Sequence, residues 1–197
     1  MSKRGWLLLG AAFPVFGLLA LLGWASFKSD GPGGPGVNQE FGEVSVVSQP
    51  APDFTLELMN GETIRLADLR GKVVLVDFWA SWCTPCRQEA STLAAVYREY
   101  RTQPVEFVGV NIWDQQESAL DYVTRFGIPY PNGVDGEGKV LIDYGVEGIP
   151  EKFFIDRNGV LQKKFVGPMH ASALKTILDQ LLSSGDPSPS GTAADDY

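Results

Sequence analysis

The hydrophobic pattern is strongest at Val73–Trp79 (VVLVDFW), an almost unbroken apolar run rich in β-branched and aromatic residues. Such a run fits a strand covered on both faces. From Cys86 onward, apolar residues recur at Ala90, Leu93, Ala94 and Tyr97, the spacing of one helix face. A second strand and helix follow. Residues 105–112 (VEFVGVNI) read as another buried strand, and Gln116–Phe126 as a helix with Leu120, Val123 and Phe126 on one side and Gly127 as its stop.

Shorter elements flank this core. Residues 41–47 (FGEVSVV) suggest an edge strand, and Asn60-Gly61 marks a hairpin between 51–56 and a return strand over 63–66. Residues 67–71 suggest a turn of helix closed by glycine. A short Pro/Gly-bounded segment over 128–134 precedes a brief helix at Lys139–Tyr144. Residues 151–156 (EKFFID) form a strand, Arg157-Asn158-Gly159 turns it into Val160–Val166, and 172–182 make a last amphipathic helix. Two βαβ-type units closed by a hairpin and a helix predict an α/β sandwich, a mixed sheet between helices.

The N-terminal pattern differs. After Met1-Ser2-Lys3-Arg4, residues 5–27 carry no charge over 23 positions. As a helix they would reach roughly 34 Å, enough for a hydrocarbon core of about 30 Å. Trp6 and Trp24 sit near the ends, as interfacial aromatics do, and Lys3 and Arg4 predict an N-terminus on the cytoplasmic side. The rival reading is a cleaved signal peptide with Gly23-Trp24-Ala25 as its site, but the stretch exceeds the usual apolar region of about 7–15 residues. Either way the folded part is expected outside the cytoplasm, in an oxidising compartment. The expected organisation is a stub at 1–4, an anchor at 5–27, a Gly/Pro linker at 28–40 that holds the domain off the membrane, a domain at 41–184 and a disordered tail at 185–197.

Charge narrows the partners. The net charge is −8, and the only charges before Asp30 are Lys3, Arg4 and Lys28, which leaves −11 on the rest. Such an acidic body argues against nucleic acid. The chain has two cysteines and one histidine, His170, too few for a tetrahedral zinc site, so neither a metal nor another cofactor is expected.

The two cysteines are Cys83 and Cys86, in Trp82-Cys83-Thr84-Pro85-Cys86, between the central strand and its helix. Pro85 suits a first helical turn. A helix N-terminus carries roughly half a positive charge and unpaired N–H groups, which favour a thiolate and lower its pKa. Cys83 is thus expected to be the exposed attacking thiol and Cys86 the shielded resolving one, the two spaced to form a disulfide. Asp77 interrupts an apolar strand six residues earlier. Burial would raise its pKa and let it take the proton of Cys86. Alternatively it is a structural acid paired with Lys72 or Lys139. Glu89, one turn beyond Cys86, would assist from the solvent side or be a solvated helix charge.

The run Val76-Asp77-Phe78-Trp79-Ala80, then Trp82-Cys83, resembles the thioredoxin superfamily. The wider frame, over about residues 50–182, resembles its membrane-anchored extracytoplasmic members of the TlpA, ResA and CcmG (DsbE) type. Its marks are Ala51-Pro52-Asp53-Phe54, Gly71-Lys72-Val73, the WCxPCRxE motif that includes Glu89, a helix-and-strand insertion before the final hairpin, and the run 148–156 (GIPEKFFID). The resemblance implies a thioredoxin-like α/β/α sandwich preceded by one transmembrane helix. It implies thiol:disulfide exchange through Cys83 and Cys86, with a cis Pro150 facing the disulfide. The backbone of Ile149 would pair there with an extended substrate, helped by Trp82, Thr84 and Pro85. It further implies apocytochrome c CxxCH cysteines as substrate and a membrane thiol donor of the CcdA/DsbD type. A broader or copper-site disulfide reductase would use the same residues. A peroxide-reducing redoxin or a Cu(I)-binding module fits them less well.

Overall fold

The computed structural model describes residues 17–21, 36–38 and 41–184. The chain divides into two units, Met1–Gly34 and Pro35–Tyr197. In the first, residues 17–21 are helical and Leu18, Leu19 and Leu21 are exposed. The stub at 1–4, most of the expected anchor at 5–27 and the tail at 185–197 lie outside the described residues. No helix among the described residues is long and apolar enough to cross a membrane.

The second unit is built on β5 (Val73–Trp79), buried along its whole length. It follows β1 (Gly42–Val44), β2 (Gln49–Pro50), the hairpin of β3 (Thr55–Glu57) and β4 (Thr63–Arg65), and a 3-10 turn at Leu66–Leu69. Then come α1 (Thr84–Tyr100), β6 (Val105–Asn111), α2 (Gln116–Phe126), β7 (Asn132–Val134), α3 (Lys139–Tyr144), β8 (Glu151–Ile155), β9 (Val160–Val166) and α4 (Ala171–Ser184). The main sheet has the order β1-β9-β8-β5-β6-β7, with β2 also on β9. β5, β6 and β7 run parallel, while β8 pairs antiparallel with β5 and with β9. Between α2 and the final hairpin, β7 and α3 fill the place of the expected insertion.

Right-handed crossovers from β5 to β6 to β7 place α1 and α2 on one face of the sheet, and α1 also packs on α4. Strand alternation sorts β5 accordingly. Val73 and Leu75 join Leu93, Val96 and Phe107 with Leu174, Ile177 and Leu178 of α4. Val74, Val76 and Phe78 join Phe54, Leu66, Tyr144 and Phe153 on the opposite face. By the same alternation Asp77 lies on the α1 side. It pairs in register with Lys152 on β8 and Gly109 on β6.

Gly109 has a specific reason. A Cβ there would fall 1.9 Å from Asn132 Oδ1 and 2.9 Å from Trp79 Nε1. Those two atoms are joined, Trp79 Nε1 donating to Asn132 Oδ1 over 3.0 Å. The indole then stacks on Tyr122 with ring centroids 4.2 Å apart. Gly109→Ala should force this bond apart and lower stability by about 1–3 kcal/mol, measured as a lower urea midpoint at constant slope.

Candidate active site

Cys83 and Cys86 are joined in a disulfide at the start of α1, with Cα atoms 5.3 Å apart. Cys83 is the N-cap, and its Sγ accepts the Cys86 N–H over 3.2 Å. Thr84 is exposed, Pro85 half-buried and Trp82 exposed beside them. Cys83 was expected to be open to solvent, but neither cysteine is more than 1% exposed. As the cap, its sulfur turns inward onto the helix end.

The turn before the cysteines is tied down from the loop after β6. Asp114 accepts the Ser81 N–H, the Ser81 hydroxyl, the Asn111 amide and the Gln115 N–H. Trp82 Nε1 donates to Trp113 O over 2.8 Å. Trp113 itself is half-exposed and has φ 52, a left-handed conformation rare for a bulky residue. Neither Trp113 nor Asp114 stood out in the sequence, because each works through a loop whose shape the hydrophobic pattern does not encode.

On the α1 side of β5 lies a buried charge cluster. Lys152 Nζ is wholly buried, donates to Glu89 Oε1, lies 3.6 Å from Asp77 Oδ1 and donates to Gly167 O over 3.2 Å. Glu89 Oε2 accepts the Met169 N–H over 2.7 Å. Glu89 is therefore not a solvated charge or a solvent-side helper: it is 3% exposed. Nor does Asp77 pair with Lys72 or Lys139. Those lysines meet Glu106 at 2.9 Å and Asp143 at 2.6 Å, and the cation facing Asp77 is Lys152. A signal was present, since a lysine in a buried strand needs an acid directly across the ladder.

The two acids differ in how well they are held. Glu89 has both oxygens bonded, whereas Asp77 Oδ1 has no hydrogen-bond donor among the described residues. Burial raises the Asp77 carboxyl above its usual 3.8, against the pull of Lys152. Burial pushes Glu89 from 4.5 up to about 7, again opposed by Lys152 and reinforced by the Asp77 charge. Tyr122, whose hydroxyl donates to Cys86 O over 3.0 Å, is raised first by burial and then by these two carboxylates. Glu89, one helical turn beyond Cys86, can thus hold a proton near neutral pH, a requirement for a group that accepts one from a thiol.

The Ile149–Pro150 peptide, which the resemblance assigned to the site, is cis. Pro150 O accepts the Gly167 N–H over 2.8 Å. Glu151, 1% exposed, accepts the Glu147 and Gly148 N–H groups at 3.4 Å and pairs with Lys164 at 2.7 Å. Residues 36–38, part of the expected linker, lie against this peptide, with Val37 bridged parallel to Ile149.

Residues 47–164 match the AhpC/TSA family model. The chain belongs to this family. Within it, the chain is 36% identical over 135 residues to the thiol-disulfide oxidoreductase ResA of Geobacillus thermodenitrificans, covering 68% of this chain and 78% of that protein. It is 40% identical over 129 residues to the thiol:disulfide interchange protein DsbE of Allochromatium vinosum, covering 64% and 70%. A crystal structure of a putative DsbE from Chlorobium tepidum superposes with a TM-score of 0.62 at 34% identity, over 70% of this chain and 95% of that one. The fold is thioredoxin-like, and the protein is a thiol-disulfide oxidoreductase.

Two outcomes test the charge cluster. Lys152→Met leaves two buried carboxyls with no cation between them. It should cost about 3–5 kcal/mol near pH 8 and less at pH 5, where Glu89 is protonated, as read by denaturant titration. Both acids titrate higher in the folded chain than in the unfolded one. The folded protein therefore binds more protons, and this share of its stability falls as pH rises from about 4.5 through about 7. Glu89→Gln should flatten the difference in urea midpoint between pH 5 and pH 8.

Proposed function

We propose that the protein is an extracytoplasmic disulfide reductase that keeps the CxxCH cysteines of apocytochrome c reduced for haem attachment. The observation that carries this reading is the Cys83–Cys86 pair at a helix start, one turn from the buried Glu89, in a chain whose Ile149–Pro150 peptide is cis. The run 148–156 and the WCxPCRxE motif support the cytochrome role through their resemblance to the CcmG type. Residues 5–27, preceded by Lys3 and Arg4, support a single membrane anchor with the domain on the outer side. The exposed leucines at 18, 19 and 21 suit an apolar surrounding.

The proposed cycle runs through the two cysteines and the buried acids. Reduced Cys83, as thiolate, attacks one sulfur of a substrate disulfide. That bond breaks, the departing sulfur takes a proton, and a mixed disulfide forms. Asp77, with Glu89 as its partner, then takes the proton of Cys86. Cys86 attacks Cys83 Sγ and releases the second substrate thiol. Two electrons have passed to the substrate, and the Cys83–Cys86 disulfide remains. A membrane dithiol of the CcdA/DsbD type returns the electrons. Ile149 and Pro150 offer the substrate a backbone edge, and Trp82, Thr84 and Pro85 the adjoining surface.

The test is a trap in the native host. Cys83→Ala should abolish reduction, while Cys86→Ala should accumulate a mixed disulfide through Cys83. Acid quenching and mass spectrometry of the trapped partner should return apocytochrome c or its assembly factors. Recovery of copper-site proteins, or of many unrelated exported proteins, would replace the cytochrome role with a broader reductase. Asp77→Asn should slow release of the trapped partner about 100-fold near neutral pH; an unaltered rate would make Asp77 purely structural.

A further inference from the structure

Ile149 has no free backbone group. Its N–H donates to Gly36 O over 2.8 Å, and its C=O accepts the Asn38 N–H over 3.0 Å. The Asn38 side-chain amide donates to Pro150 O, also over 3.0 Å. Val37, between them, bridges Ile149 in parallel. This is the hydrogen-bond pattern of a strand added to an edge. Its occupant comes from the same chain, more than a hundred residues earlier in sequence.

The fit is built by particular residues. A Cβ on Gly148 would fall 2.5 Å from Asn38 Oδ1 and 3.1 Å from Gly36 O, so only glycine admits the segment this closely. Gly36 has φ +83, and a Cβ on it would fall 2.8 Å from Trp113 Cζ3. The segment therefore runs between the Gly148–Pro150 edge and the ring of Trp113. Trp113 is the residue held left-handed, and its carbonyl anchors Trp82 beside Cys83. Cys83 and Ile149 are each 0% exposed.

We propose that residues 36–38 are the resting occupant of the edge that receives substrate, and that a disulfide-bearing polypeptide reaches Cys83 by displacing them. This rests on the reading of Gly148–Pro150 as the substrate edge. The occupant is tethered, so it competes at the effective concentration of a short linker, of order millimolar. The kind of partner follows. An extended segment with free N–H and C=O groups can replace the two backbone bonds to Ile149 one for one, whereas a small disulfide cannot. The strap therefore favours unfolded or flexible polypeptides over small thiol compounds.

The test uses the full-length protein. Asn38→Pro removes the backbone N–H given to Ile149 and the amide given to Pro150, and touches no core residue. Gly36→Ala loosens the same segment from the Trp113 side. In both, hydrogen exchange of the Ile149 amide should speed up, and reduced Cys83 should alkylate faster with iodoacetamide. For an extended peptide disulfide KM should fall about tenfold with kcat unchanged, as expected if the free edge is open about a tenth of the time. Reduction of hydroxyethyl disulfide should change much less. Exchange at Ile149 that is unaltered in both variants would overturn the proposal, because no strap is then seated in solution. Faster exchange with an unchanged or raised KM would also overturn it, because the segment then does not compete with substrate. Failure of the reductase reading looks different: no form of the protein would turn over any protein disulfide, while exchange and alkylation would still report the strap.

Discussion

The burial of Lys152 between Asp77 and Glu89 is the constraint on which the site is built. A lysine wholly removed from water is tolerated only with anionic partners. Here the partners come from two elements that must be aligned to supply them: Asp77 from the next strand in register, Glu89 from the helix above. Gly167 and Met169 add the loop that leads into α4 through backbone contacts. The register of β8 on β5, the seating of α1 and the approach of α4 thus meet at one ammonium group. The same contacts leave Asp77 the less satisfied of the two acids, and its strand ends where the cysteine turn begins. Positioning of the scaffold and placement of a titratable proton are therefore one arrangement.

A second constraint acts at the entry to β8. The cis Ile149–Pro150 peptide is held from beneath by Gly167 and by the Glu151 carboxylate, which gathers the Glu147 and Gly148 N–H groups. Beside the cysteines, Asp114 and Trp113 hold Ser81 and Trp82. These two loops are each fixed by polar groups rather than by packing alone.

Much of the fold was legible because it follows from periodicity. The continuous run at Val73–Trp79 and the 3.6-residue pattern after Cys86 place β5 and α1, and Gly127 stops α2 in the left-handed conformation expected of a glycine cap. The Asn60-Gly61 and Asn158-Gly159 turns identify both hairpins. β2 was not legible, since two residues ending in proline carry no pattern. In the site, the cysteines and their place at a helix start could be read directly. The environment of Glu89 could not. Position along a helix says which face a residue takes, but not that a lysine from another strand waits there. The exposure assigned to Cys83 failed for a similar reason, because the cap geometry and its cover depend on residues far away in sequence. Residues 36–38 looked like plain linker, since a Gly/Pro-rich stretch shows no face to bury.

One consequence follows from Cys83 being both the cap of α1 and half of the disulfide. Breaking the disulfide leaves the sulfur at the same helix end, where the Cys86 N–H and the dipole now act on a negative charge. Redox state and folding therefore form a closed thermodynamic square: whatever stabilises the dithiol fold over the disulfide fold appears, kilocalorie for kilocalorie, as a more oxidising potential. Every contact at the first turn of α1 is thus also a setting of the voltage at which this protein gives up its electrons.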